Sequence, residues 1–239
     1  MRLPESWEIL LNPHLNMVEF YNSLDGFTKH YEVLIPERHS IFRAFHLVSP
    51  DRVKCVLYGE DPYPRLSSAC GIAFWDKEIA TWDDKTNGNS LKNMLKAMLT
   101  AEEYADYRTP IAECRKIARG INYKSPGELF SHWIDQGIFL LNTSLTFSNK
   151  TDKKAHFQFW RPFQKAVIKL LNNREESPVY ILWGNKAGNW EKDILETIDD
   201  SSKIIRQGHP TFIHQFMDPE NITYSPFNEI IRKTGLVWI

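Results

Sequence analysis

The chain has 239 residues, 42% of them hydrophobic, enough to bury the core of one domain or at most two small ones. Its 29 basic and 30 acidic residues nearly cancel, so no chain-wide field points to nucleic acid, although a local basic groove is compatible with that balance. Three cysteines, Cys55, Cys70 and Cys114, are widely spaced and form no CxxC, which excludes a disulfide framework and a zinc or iron–sulfur site and predicts a cytoplasmic protein.

The opening Met1-Arg-Leu-Pro-Glu-Ser-Trp-Glu lacks a signal-peptide core, and no apolar run is long enough for a membrane, so no membrane partner is expected. Residues 6–30 carry apolar residues at helical spacing (Ile9, Leu10, Leu11, then Met17, Val18, Tyr21, Leu24). Pro36-Glu37 opens a second helix that continues through Ile41, Phe42, Phe45 and His46. Residues 53–58 are a short, almost wholly apolar run, the pattern of a strand buried on both faces. Gly59 ends it, and Pro62 keeps Asp61 out of the helical region, leaving its carboxylate at the mouth of the strand.

A polar loop over 65–68 leads to a second apolar run, Gly71-Ile-Ala-Phe-Trp75. Residues 76–89 are polar, with a turn at Asn87-Gly88. Ser90 is the expected cap of a helix with Leu91, Met94, Leu95, Met98 and Leu99 on one face. Residues 100–127 are mixed and charged, an inserted excursion with one or two short helices. A helix bearing Leu129, Trp133 and Ile134 then precedes a strand at 138–141 and a loop to about Phe157. After it come a helix with Phe163, Val167, Ile168 and Leu171, a strand at 179–183 ended by Gly184, and a helix at 186–198. A weaker strand at 203–206 runs into Gly208-His209-Pro210, and a helix at 226–234 closes the chain.

Strands alternating with helices predict one α/β domain over 1–239, with an N-terminal helical part at 1–50 and a central, mostly parallel four-stranded sheet between helical layers. Ligands in such folds bind beyond the carboxyl ends of the strands. Those ends carry Asp61, Asn142, Gly184-Asn185 and His209, with Tyr63 and Phe74 alongside: an acid, an amide and an imidazole beside two aromatic rings suit a slot for a flat ring. Taken singly, each has a structural alternative, a backbone-capping Asp, a turn-forming Asn and a packed loop His.

Gly59-Glu-Asp-Pro-Tyr63 with Gly71-Ile-Ala-Phe74, Leu140-Leu-Asn-Thr-Ser-Leu-Thr146, Tyr180-Ile-Leu-Trp-Gly184 and His209-Pro-Thr together resemble the uracil-DNA glycosylase family, family 1 type, in order and spacing from about Pro36 to the final helix. The resemblance implies a monofunctional DNA glycosylase, a monomer without metal or cofactor, acting on a nucleotide flipped out of DNA because the glycosidic bond is unreachable inside the stack. It implies that Asp61 and His209 are catalytic, the acid stabilising the cationic sugar and orienting water, the neutral imidazole donating to the departing base. Asn142 would read the pyrimidine edge and Phe74 would stack on the base. Tyr63 would refuse thymine, and the Glu60 backbone amide would complete the base site. Ser90, Asn185, Pro210, Thr211 and Ile213 take the DNA-contacting positions, Ile213 as an apolar wedge.

The departures from the family pattern concern the surroundings of that site. Pro64 replaces a water-holding His, Glu60 a Gln, and Arg65-Leu-Ser-Ser68 a glycine-rich segment. The phosphate-binding and phosphate-pinching loops are rewritten around Ser90 and Thr211, and the 76–89 and 100–127 segments are longer. Three readings follow: removal of uracil; removal of a bulky modified cytosine from bacteriophage DNA as antiphage defence, with Pro64, Arg65 and Ser67 as a specificity loop; or an inert DNA-binding or polymerase-accessory module.

Overall fold

Three runs of apolar residues have no polar face and must be covered on both sides, while a fourth, weaker run turns polar at Arg206. They form β1 (Cys55–Gly59), β2 (Ile138–Asn142), β3 (Val179–Trp183) and β4 (Ile204–Gln207); the first three are buried throughout. In the computed structural model, which describes residues 1–85, 88–121, 125–198 and 200–239, all pairs are parallel and the order is β2-β1-β3-β4. β1 begins later than its apolar pattern because the Val53 carbonyl is taken by the Arg174 guanidinium at 2.6 Å.

Register aligns Val56 with Phe139 and Tyr180, which defines one face of the sheet. The N-terminal helices α1 (Glu5–Leu11), α2 (Met17–Lys29) and α3 (Arg43–Leu47) help to cover that face. Trp7 packs between Phe45 at 5.0 Å and Phe139 at 5.2 Å, and its indole N–H donates to the Val48 carbonyl at 2.9 Å. The helix expected over 6–30 is therefore two: Pro13 lies in the break, and Asn16 caps the second by accepting from the Val18 and Glu19 amides. The helix expected from Pro36 is reduced to a 3-10 turn, Arg38–Ser40, before α3.

The opposite face carries Trp183, whose ring meets Phe216 at 5.0 Å and Phe227 at 5.8 Å. Between β1 and β2 come α4 (Ser90–Ala101), α5 (Ile111–Gly120) and α6 (Pro126–Asp135). Ser90 does not cap α4: Asn89 holds the cap position without a side-chain bond, and the Ser90 hydroxyl instead meets Thr211 Oγ1 at 2.8 Å. The excursion contributes α5, which buries Cys114 and Ala118, and is tied down by the Tyr107 amide on the Ile222 carbonyl at 2.8 Å. Asn87 of the expected turn lies outside the described residues.

After β2, α7 (Lys153–Asn172) begins at Lys153 instead of near Phe157 and runs through Pro162. After β3, the helix expected over 186–198 is split into α8 (Gly184–Gly188) and α9 (Glu191–Leu195). The short α10 (Ile213–Phe216) follows β4, and α11 (Pro226–Thr234) ends the fold with a Ser225–Asn228 capping box and a left-handed Gly235. The apolar run at 71–75 is not a strand. It folds under the sheet edge, with the Ala73 amide on the Leu140 carbonyl at 3.2 Å.

Candidate active site

A parallel sheet points all its carboxyl ends the same way, and here those of β1 and β2, with the loop after β4, border a cavity of about 270 Å³. That is just below the ~300–1,000 Å³ of drug-sized sites and on the scale of one nucleobase. Its lining includes Asp61, Tyr63, Phe74, Asn142, His209 and Thr211.

Asp61 follows β1 on a short loop whose shape is set by neighbours. The Glu60 carbonyl accepts from Thr143 Oγ1 at 2.7 Å and from the Ser144 amide at 3.1 Å, so the loops after β1 and β2 are tied together. Burial pushes the Asp61 carboxyl above the usual carboxylate range; the Lys153 ammonium pulls it back down. Lys153 Nζ lies 3.1 Å from Asp61 Oδ1, 3.0 Å from Asp61 Oδ2 and 2.8 Å from Glu60 Oε1. Its own pKa is raised: burial opposes the charge, and the bonds to Glu60 and Asp61 outweigh it.

Asn142 ends β2 with its side chain over β1. A methyl group on Gly59 would overlap Asn142 Oδ1 and stand 2.9 Å from Ala73 Cβ, so only glycine leaves room for the amide there. The Asn142 backbone carbonyl is taken by Gln164 Nε2 at 2.8 Å. Among the described residues no hydrogen bond engages its side-chain amide, which borders the cavity.

His209 comes in on the loop after β4. Its Nδ1 accepts from the Thr211 amide at 3.2 Å, which leaves the proton of a neutral ring on Nε2. Burial lowers the imidazole pKa, with Glu60 opposing, so the neutral ring is the form at pH 7. Asn93 Nδ2 donates to the Pro210 carbonyl at 2.6 Å, and with the Ser90–Thr211 contact this fastens the loop to α4.

The aromatic walls are fixed too. The Tyr63 hydroxyl donates to the Phe74 carbonyl at 3.2 Å, and its ring packs with Ile35, Ala69 and Phe147. Burial raises the phenol pKa, so it remains a donor. Phe74 adopts φ +64, a left-handed conformation costing ~1–3 kcal/mol for a residue with a side chain, and its ring meets Trp183 edge-on at 5.5 Å.

A model of the Uracil DNA glycosylase superfamily matches residues 45–233. The chain belongs to this superfamily. A protein named uracil-DNA glycosylase from Bacillus mycoides (strain KBAB4) is 32% identical over 212 residues, covering 87% of this chain and 82% of the relative. One of the same name from Flavobacterium johnsoniae is 29% identical over 242 aligned positions, covering 99% and 97%. The wild-type UNG crystal structure from Nitratifractor salsuginis superposes with a TM-score of 0.78 at 25% identity, over 98% of this chain and 93% of that one.

Within this superfamily fold, the residues expected at the site divide into two groups. Glu60, Asp61, Tyr63, Pro64, Phe74, Ser90, Asn142, His209 and Thr211 all line the cavity. Arg65, Ser67, Asn185, Pro210 and Ile213 do not. Arg65 donates to Glu78 Oε2 at 2.6 Å and to the Ser68 hydroxyl at 2.9 Å, and Ser67 also bonds Glu78, so this loop is braced outward from the cavity. Ile213 packs against the core, whereas its neighbour Phe212 is 51% exposed: the projecting apolar side chain of this loop is Phe212. Among the described residues, the excursion at 100–127 contributes no lining residue, while Asp76, Ile79 and Gly88 of the 76–89 segment do. The residue that sequence reasoning missed is Lys153. Its signal was a pair of lysines, Lys153-Lys154, opening a helix, where the macrodipole favours acids.

Proposed function

We propose that this chain is a monofunctional uracil-DNA glycosylase: it flips a uridine out of DNA and hydrolyses its N-glycosidic bond, leaving an abasic site. The observation that carries the reading is the convergence of an ion-paired Asp61, an uncommitted Asn142 amide and a neutral His209 with its proton on Nε2 around one base-sized cavity. As the bond between C1′ and the base nitrogen breaks, its electron pair passes to the base and charge collects on a carbonyl oxygen of the uracil. The Nε2–H of His209 donates to that oxygen, and Asp61 stabilises the cationic sugar. Water adds to C1′, its proton passing to the ionised Asp61.

Asn142 presents a donor and an acceptor to the pyrimidine edge, Phe74 stacks on the base, and Tyr63 walls off carbon 5. Phe212 takes the wedge role expected of Ile213, as the exposed ring beside the cavity. Ser90, Thr211, Pro210 and Asn185 serve DNA contacts at the rim. In this reading the protein acts as a monomer, and its three free cysteines fit a cytoplasmic location. Among the described residues no helix is long and apolar enough to cross a membrane. Excision of a bulky modified cytosine loses the contacts expected for it, because Arg65 and Ser67 are bound to Glu78.

The test is incubation with uracil-, thymine- and glucosylated-cytosine DNA, followed by alkali cleavage at abasic sites. Cleavage of uracil DNA alone is expected, abolished or greatly slowed in Asp61→Asn with DNA binding retained. Cleavage of the modified DNA alone, or of none, overturns the reading.

A further inference from the structure

Asp61 does not face the cavity alone. Glu60 stands beside it on the same loop, Lys153 reaches both from the first turn of α7, and Lys186 of α8 adds a second positive charge within range. His209, on the loop after β4, is neutral and feels Glu60. Two adjacent carboxylates at a partly desolvated site repel, and such a pair tends to retain a proton unless a cation intervenes. Lys153 is placed to intervene: its three N–H groups are matched by three carboxylate oxygens, two on Asp61 and one on Glu60, at 2.8–3.1 Å.

The helix's own use for a lysine there is a long contact of its ammonium with the Phe157 ring at 5.8 Å. α7 begins Lys153-Lys154 with no acid in its first turn, against the preference of a helix N-terminus for negative charge. A local rule broken at a site of chemistry points to a use at that site. The use is legible in the geometry, since the ammonium contacts both oxygens of Asp61, which lines the same cavity as His209 and Asn142.

We propose that Lys153 is a positioning residue for the glycosylase reaction, holding the Asp61 carboxylate ionised and oriented beside Glu60. This rests on the proposed glycosylase reading, with Asp61 as the working acid. Removing the cation takes away the attraction that favours the charged form and leaves the repulsion from Glu60, so the titration of Asp61 moves up; an opposite charge this close is worth ~1–3 pH units. Base excision at acidic and neutral pH then falls because less of the acid is ionised.

The experiment has two independent readouts. The first is the titration midpoint of Asp61 by ¹³C-carboxyl NMR, with its resonance assigned by Asp61→Asn. The second is the pH profile of kcat/KM on uracil DNA. Both are measured for the wild type, Lys153→Gln, Lys153→Arg and the double variant Glu60→Gln/Lys153→Gln. Lys153→Gln is expected to raise the midpoint by at least about one pH unit, a tenfold loss of ionised acid on the acidic limb, and to shift the kcat/KM limb equally. Lys153→Arg restores both, and removing Glu60's charge in the double variant brings the midpoint part of the way back. A merely structural role for Lys153 would lower activity evenly across pH. An unchanged midpoint and acidic limb in a Lys153→Gln protein with wild-type circular dichroism overturns the proposal. Should Lys153→Gln fail to fold, Lys153→Arg decides: a restored midpoint and limb support the proposal, and a midpoint displaced upward as if the cation were absent overturns it. If the wild type excises no uracil at any pH, the glycosylase reading fails, and the NMR midpoint alone decides whether Lys153 sets the charge of Asp61.

Discussion

Replacing His209 by alanine tests the chemistry most directly, because the ring offers one donor to the cavity. Nδ1 is occupied by the Thr211 amide, so the whole contribution to the leaving base passes through Nε2–H. Removing a single oxyanion-type donor costs ~10²–10³ in kcat, or ~2.7–4 kcal/mol in the barrier. The fold should tolerate the loss. The Asn93 bond to the Pro210 carbonyl and the Ser90–Thr211 contact still hold the loop, and only the Thr211 amide loses its acceptor, worth ~1 kcal/mol of stability. The assay is single-turnover excision from uracil DNA between pH 5.5 and 9, with DNA affinity measured separately. Wild-type rates should hold level from neutral pH upward, since burial keeps the imidazole neutral there. His209→Gln, which keeps an N–H at similar reach, should recover part of the rate. A kcat within tenfold of wild type in His209→Ala, or wild-type activity that falls as a normal imidazole loses its proton, would refute the reasoning.

Tyr63→Ala removes the wall pinned on the Phe74 carbonyl and should create measurable thymine excision while keeping some uracil activity; no thymine release would show that another residue excludes the methyl. Gly59→Ala puts a methyl against the Asn142 amide and should cost ~1–3 kcal/mol of stability and most of the base discrimination, read by urea melts and by uracil-against-cytosine kcat/KM; unchanged discrimination would free Asn142 from that role. His156 is buried against Thr146 and Ser148, and burial pushes its pKa down to about 4. A depressed folded pKa gives stability that is complete above the ordinary value of 6.5 and is lost as pH falls toward about 4, with an upper bound of ~3 kcal/mol; His156→Gln should flatten this slope in melts between pH 7 and pH 4.

The strands were legible because burial on both faces leaves no polar alternation to confuse with a helix, and their carboxyl ends then named Asp61, Asn142 and His209 directly. Helix starts were less legible. The first turn of α7, Lys153-Lys-Ala-His156, has no apolar residue except Ala155, so periodicity first registers near Phe157, and the cation paired with Asp61 fell in what read as a loop. The split of the 6–30 helix was written in Pro13, but the apolar spacing on either side masked it. Phe212 and Ile213 are adjacent and both apolar; which one projects depends on the turn into α10, which only the folded chain fixes.

The sheet order divides the site by how it opens. β1 is hydrogen-bonded on both sides and is buried end to end, so the loop bearing Asp61 hangs from the strand whose amides should exchange with solvent most slowly, at the rate of global unfolding. β4 is an edge strand with Arg206 exposed, and the His209 loop depends on it. Amides of that edge can exchange through a smaller excursion, peeling β4 and α10 away while the acid stays in place. The cavity thus has a fixed floor and a hinged wall. A nucleotide that bridges Asn142 and His209 would join the two, and its arrival should be recorded as slowed exchange along β4 with no change in β1.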